Sequence, residues 1–356
     1  MQHYDITIIG AGPAGATLAR KLQKHYKVLL VERRAMDREA NKLIKNCGGL
    51  IAPDAQKALA SFGLSIPKDL LVSPQMFSVK TIDFDNDITR SYQRHYINVD
   101  REKYDRWLVS LCSDVETTFS TRFRTAVREG EHYRVTLLQE NKHKEITTDI
   151  IIGADGANSK VKKDLLGRQN YEPKRYISTQ EWFPNTTELN QFVAIFDNEI
   201  SDYYSWIIPK DDGLIFGTAI EEGQDITSLH KLQKQKLKKL GYEFSNPQKR
   251  EGCYLLRTMC TKEICLGANN IALIGEAAGW ISPTSAEGIS YAMISGDILG
   301  SALLEDRDNF LKLYENKSQM LKNNIIKKML KYPMVYHKPI RGMILKLGFT
   351  SIDING

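Results

Sequence analysis

The chain has 356 residues and is 42% hydrophobic, 26% charged and 9% aromatic, a globular composition that excludes intrinsic disorder as its main state, and its length predicts two domains or one large one. No run of about 18 apolar residues occurs, so no bilayer-spanning helix is expected. The net charge of +6 is confined to residues 312–356, where nine Lys or Arg face only Glu315 and Asp353; this tail is +7, the preceding body is −1, and no nucleic-acid partner is expected.

Met1-Gln2-His3-Tyr4-Asp5 leads straight into an apolar strand, which leaves no room for a secretory leader and predicts a cytoplasmic protein. Asp5 to Ile9 is β-branched and ends in Gly10-Ala11-Gly12-Pro13-Ala14-Gly15, followed by the helical run Ala16 to Leu22. In such a strand, G-x-G-x-x-G, helix unit, Gly10 permits the tight turn and Gly12 lets a pyrophosphate approach. Gly15 allows close helix packing, and the free amides of the helix start attract the anion. A second strand, Lys27 to Val31, ends in Glu32, placed to hydrogen-bond a ribose hydroxyl, with Arg33 beside it. An acid there disfavours a 2′-phosphate, so FAD or NAD is expected.

Two further buried strands end in glycine turns, Asp149 to Ser159 and Ile271 to Gly279, without the full phosphate fingerprint. Three such junctions suggest one long cofactor threaded along a single sheet, with chemistry at the end furthest from Gly10. Between the last two, the segments Phe192 to Phe196, Tyr203 to Ile208, Gly213 to Ile220 and Cys253 to Arg257 read as short strands. Lys210-Asp211-Asp212-Gly213 has the D-G signal of a tight hairpin. Met76 to Asn98 alternates in the same way, and Ser228 to Leu240 is a helix with a Lys-rich outer face.

The fold class expected is α/β: a Rossmann-like FAD-binding domain (1–75, 98–170 and 268–311) with an inserted antiparallel β-sheet substrate domain (76–97 and 171–267) and a basic C-terminal helical tail (312–356). Five cysteines (47, 112, 253, 260 and 265), odd in number and irregularly spaced, fit a reducing compartment without a disulfide framework. Cys253, Cys260 and Cys265 read as small core residues. The seven histidines are scattered, so no metal is expected.

These residues resemble the FAD-dependent superfamily that includes para-hydroxybenzoate hydroxylase and the geranylgeranyl reductases. The resemblance extends to about residue 305. Gly10 to Gly15 with Glu32 matches its FAD fingerprint, and Asp155-Gly156 matches its D-G motif. Gly275-Glu276 falls where the family has G-D, whose acid binds the ribityl chain. Lys45-Asn46-Cys47-Gly48-Gly49-Leu50 is similar to the reductases' cysteine and glycine loop beside the flavin ring. Tyr204-Ser205-Trp206-Ile207-Ile208-Pro209-Lys210 fits their substrate-cavity signature, with Ile208 in place of Phe. Together with Ile51 to Gln56 and Ser73 to Lys80, these segments look similar to a small bacterial branch that includes a flavoprotein named for colicin M resistance.

The resemblance places Arg101 at a cofactor-contacting position, where the bland alternative is a solvated charge after an Asp100 N-cap. It also runs the stretch from Pro283 through Gly288 and Ile289 past the flavin ring into a helix whose N-terminus would stabilise the reduced anion. Cys47, Tyr204 and Trp206 are the candidate catalytic residues. Cys47 has only Lys45 nearby in sequence to lower its pKa, and alternate aromatics in a strand also simply pack.

The implied activity is FAD-dependent reduction of carbon-carbon double bonds in a prenyl or polyprenyl lipid. No second G-x-G-x-x-G is present, so the electron donor stays open between NAD(P)H and a reduced protein carrier. Alternatives are an aromatic monooxygenase, a flavin halogenase (Tyr204 to Pro209 is one residue from W-x-W-x-I-P) and a non-catalytic prenyl-binding protein. For the tail, a capping helix with a solvated face competes with peripheral attachment to an anionic membrane; Pro333 and Pro339 are expected to interrupt it.

Overall fold

The computed structural model describes residues 1–35, 47–184, 189–211, 213–349 and 351–352. Its two sheets divide the work that the sequence pattern suggested. In the first, Ile271–Leu273, Lys142–Gly153, Gln2–Ile9, Val28–Val31 and Glu116–Thr118 lie side by side and parallel. Their near-continuous apolar runs, such as Ile6, Ile8, Leu30 and Ile150 to Ile152, are what a parallel sheet buried on both faces requires.

Helices Pro13–Leu22 and Ile289–Glu305 pack together against this sheet. They approach closely because Gly296 has no side chain: a Cβ there would stand 2.6 Å from the Ala14 carbonyl oxygen. An antiparallel meander, Thr121–Glu129 and His132–Gln139 running onto Lys142–Gly153, extends the sheet. Only the end of its last strand was legible in the sequence, because Thr121–Glu129 is mostly exposed and carries no apolar alternation.

The second sheet runs Lys249–Arg257, Lys174–Pro184, Gly213–Glu221, Ser205–Lys210, Phe192–Phe196, Met76–Asp83 and Ile88–Asn98, closed at its edge by Ser351–Ile352. It is not wholly antiparallel as expected. Phe192–Phe196 runs parallel to Met76–Asp83, with Phe192 opposite Val79. Lys174–Pro184 is a further strand that the sequence reading did not single out. Helix Ile226–Lys238 backs the sheet through His230, Gln233 and Leu237.

The tail forms helices Phe310–Lys317, Gln319–Tyr336 and Lys338–Leu347. Pro333 does not interrupt it; the residue sits in the last turn of Gln319–Tyr336, where only one intrahelical hydrogen bond is lost. Pro339 instead starts the next helix, where its missing N–H costs nothing. Arg341 is buried and pairs with both oxygens of Asp83, at 2.8 and 2.9 Å, and with Asp85 at 2.6 Å, pinning the tail to the second sheet. No helix among the described residues is long and apolar enough to cross a membrane.

Candidate active site

The three glycine junctions are neighbours because their strands pair in register: Ile9 and Leu273 both lie opposite Gly153. Gly10 has φ +108°, and a Cβ there would sit 2.4 Å from the Ala154 carbonyl oxygen; one on Gly15 would sit 1.9 Å from that of Gly10. Gly12 and Gly156, by contrast, face open space with nothing within 4 Å of a Cβ. The helix that starts at Pro13, followed by Ala14 and Gly15, has no side-chain cap. Crowded glycines below an open, uncapped helix start fit a bound pyrophosphate.

Glu32, at the end of the neighbouring strand, accepts from the Ala11 amide at 2.9 Å and the Arg34 amide at 2.9 Å. The Arg34 guanidinium also holds it, at 3.1 Å. Arg33 is exposed, and Arg34 lies half-buried behind it. A small cavity beside Glu32 is lined by Ala11, Glu32, Arg34, Asp105, Val109 and Phe119. Burial works against the Glu32 charge, but Arg34 prevails and holds the carboxyl below the usual carboxylate range.

From Glu32 a buried row of charges runs inward. Arg34 reaches Asp105 at 3.0 Å, Asp105 accepts from Arg101 at 2.8 Å, and Arg101 Nη1 lies 3.0 Å from Cys47 Sγ. Asp100 does cap the helix Arg101–Ser110, accepting from the Glu102 and Lys103 amides, yet Arg101 is buried rather than solvated. Lys45 and Asn46 lie outside the described residues, and the fold brings Arg101 into contact with Cys47 instead.

The glycine loop meets the signature strand directly. A Cβ on Gly48 would stand 2.3 Å from Ile208 Cδ1. Gly49, at φ +68°, has Lys210 Nζ 2.8 Å and the Val99 carbonyl oxygen 2.3 Å from where its Cβ would be. Lys210 donates to Asn98 Oδ1 and, at 2.9 Å, to the Val99 carbonyl. Loss of hydration in this buried position lowers its pKa to about 7, against the opposing pull of Cys47 and Asp100.

Tyr204 and Trp206 lie together, ring centroids 5.7 Å apart, in a cluster with Met76, Tyr96, Phe192, Ile208 and Tyr336. Tyr204 Oη donates to the Ser285 carbonyl at 2.8 Å, tying the signature to the Pro283–Gly288 passage. The Trp206 indole lies flat on the next strand because its partner there is Gly217, where a Cβ would be 2.2 Å from the ring. Gly217→Val is therefore expected to cost about 1–3 kcal/mol in urea unfolding and to displace the indole, read as a shift in tryptophan emission.

Sequence reasoning missed four contributors. Tyr96 Oη and Arg94 both donate to Glu287 Oε1, at 2.9 and 2.8 Å, forming a polar row beside Tyr204. Arg257 is fully buried, with Tyr203 and Tyr336 each 4.2 Å and Tyr332 4.8 Å from its guanidinium. Its Nη2 has no partner among the described residues. Their partners come from distant strands, so no local spacing marks them.

The remaining expected residues are placed as follows. The Asp155 carboxylate accepts from Ser159 Oγ at 2.6 Å and the Lys160 amide at 2.7 Å, bracing its own turn. Gly275, at φ +59°, packs on Ala14, and its amide donates to Ser295. One oxygen of Glu276 takes the Leu256 amide at 2.9 Å. Pro283 offers its carbonyl to Arg257, and helix Ile289–Glu305 begins after Gly288 without a side-chain cap, a second open helix start for an anion. Cys253, Cys260 and Cys265 are half-buried, and none of the five cysteines forms a disulfide among the described residues. His3, His132 and Asp149 do come together, but the carboxylate is engaged by Arg307.

Residues 3–218 match the family model described as FAD binding domain. The chain is 37% identical over 356 residues to Protein CbrA of Shigella sonnei and of Escherichia coli K12, covering 99% of both chains in each case. It superposes on a geranylgeranyl bacteriochlorophyll reductase-like protein of Thermoplasma acidophilum with TM-score 0.81 at 14% identity, covering 97% of this chain and 91% of that one. A probable FAD-dependent monooxygenase of Pseudomonas aeruginosa, PqsL, gives 0.69 at 15% identity, with 97% and 100% covered. Matched over residues 3–218 and along nearly its whole length to CbrA, the chain belongs to the FAD-binding domain family and is an FAD-dependent oxidoreductase.

Proposed function

We propose that the protein reduces carbon-carbon double bonds of a prenyl or polyprenyl lipid. The observation that supports this reading is an aromatic and aliphatic wall: Trp206, Tyr204, Phe192, Met76, Ile208 and Tyr336 pack together, and Ile208 meets Gly48 of the glycine loop. Such a wall suits a long apolar chain and excludes water from the reacting bond. The shared fold does not choose between reduction and hydroxylation, since a reductase-like protein and a probable monooxygenase both have it.

Bound FAD, once reduced by NAD(P)H or a reduced protein carrier, supplies the hydride. The chain supplies the rest. The uncapped amides after Gly12 and Gly288 would hold anionic parts of the cofactor, and Glu32 would hold its ribose. The addition also needs one proton, and the Arg94–Glu287–Tyr96 row links the exposed Arg94 to the apolar wall, ending in the Tyr96 O–H. Burial, followed by the Glu287 charge, raises the Tyr96 pKa and keeps that proton in place at neutral pH.

Anaerobically reduced protein mixed with a panel of prenyl diphosphates and polyprenyl quinones should be reoxidised by one of them, giving a product heavier by two hydrogens. A panel that leaves the flavin reduced would refute this reading. Oxygen consumption triggered by an aromatic substrate would favour the monooxygenase instead.

A further inference from the structure

We propose that the outer face of the C-terminal helices is a docking surface for an anionic lipid bilayer. The inner face of Gln319–Tyr336 is accounted for: Leu321, Ile325 and Tyr336 are buried, and Tyr332 and Val335 pack on the aromatic wall. The opposite face is not the polar one that water would favour. Ile326, Leu330 and Met334, spaced four apart and so on one stripe, are exposed, Leu330 to 75%, and Met320 joins them. Beyond them Met343, Leu347 and Phe349 are exposed, the last to 67%. Half of the large hydrophobic side chains exposed among the described residues thus fall between 320 and 349, a concentration that marks an interaction surface.

Charge selects the occupant. Of the tail's cations, Lys317, Lys322, Lys328 and Arg341 are paired, with Glu305, Glu315, Asp54 and the Asp83–Asp85 pair. Lys327, Lys331, Lys338 and Lys346, interleaved with the exposed apolar residues, have no acidic partner among the described residues. Apolar side chains can enter the acyl boundary while lysines reach up to lipid phosphates. A second copy related by a two-fold axis would instead set these lysines against their own kind. The inference rests on this surface alone and holds whatever the substrate is.

The test is sedimentation of the flavin-loaded protein with vesicles of phosphatidylcholine, with and without phosphatidylglycerol. Binding should be at least tenfold stronger to the anionic vesicles and should fall at high salt. Leu330→Glu with Met334→Glu should abolish it, and Lys327→Glu with Lys331→Glu should weaken it at least tenfold, with the flavin spectrum and Tm unchanged as proof of folding. Equal binding to both vesicles, or binding to neither, would overturn the proposal. So would concentration-dependent dimerisation that these variants remove, which would identify a second copy as the occupant.

Discussion

Glu32→Ala should purify without flavin and unfold with about 3–5 kcal/mol less stability than the wild type, read as the visible absorbance ratio and a urea midpoint. The carboxylate serves the fold and the cofactor together. It accepts from the Ala11 amide inside the glycine turn and pairs with Arg34, whose other end holds Asp105. Removing it leaves Arg34 with one partner and the turn without its acceptor. Glu32→Gln should lie between, because it keeps an acceptor for Ala11 but loses the charge.

The pH dependence has a definite sign. The folded-state pKa of Glu32 is depressed, so its contribution is complete above the unfolded value of about 4.3 and is lost as pH falls through the lower folded value. Flavin release on acidification should therefore be steeper in the wild type than in Glu32→Gln. Equal acid profiles would show that the carboxylate is not the ionised partner described.

Lys210→Met should change the slope of stability against pH. In the folded protein Lys210 titrates near 7, whereas an unfolded lysine titrates near 10.4. Between these values the unfolded chain binds the extra proton, so wild-type stability rises with pH by about 1.4 kcal/mol per unit, and below 7 the penalty of the buried charge is complete. From pH 7 to 9 the wild type should gain about 2–3 kcal/mol relative to the variant. The difference in slope isolates the ammonium from the two acceptors, Asn98 Oδ1 and the Val99 carbonyl, that the substitution leaves unpaired. Parallel urea-derived curves would rule out a depressed lysine. Because Gly49 leaves room for that ammonium, the variant should also alter the bound flavin's spectrum.

Lys210 also shows why part of the site was hidden in the sequence. It stood there only as the last residue of a signature, and its partner Asn98 lies on a strand 112 positions earlier. Cys47 is similar: its nearest cation in sequence is Lys45, yet Arg101, 54 positions on, reaches the sulfur. Arg33 and Arg34 are equivalent in sequence, and only the way the chain leaves Val28–Val31 turns the second toward Glu32. Buried charges are located by their partners, and partners are chosen by strand pairing.

What the sequence alone determined was a dinucleotide cofactor and four parallel strands of the first sheet. Glycine at 10, 12 and 15 answers to local backbone geometry, an acid after the second strand answers to a ribose, and unbroken apolar runs answer to a sheet covered on both faces; all of these act over a few residues. Tertiary structure decided the parallel pair in the second sheet, the ion-paired row behind Cys47, the Arg257 enclosure and the direction of the tail. The +7 of residues 312–356 could be counted in advance. Which of those cations pin the helices to the body, and which stand among exposed apolar side chains, depended on acids such as Asp54 and Asp83 that only folding brings within reach.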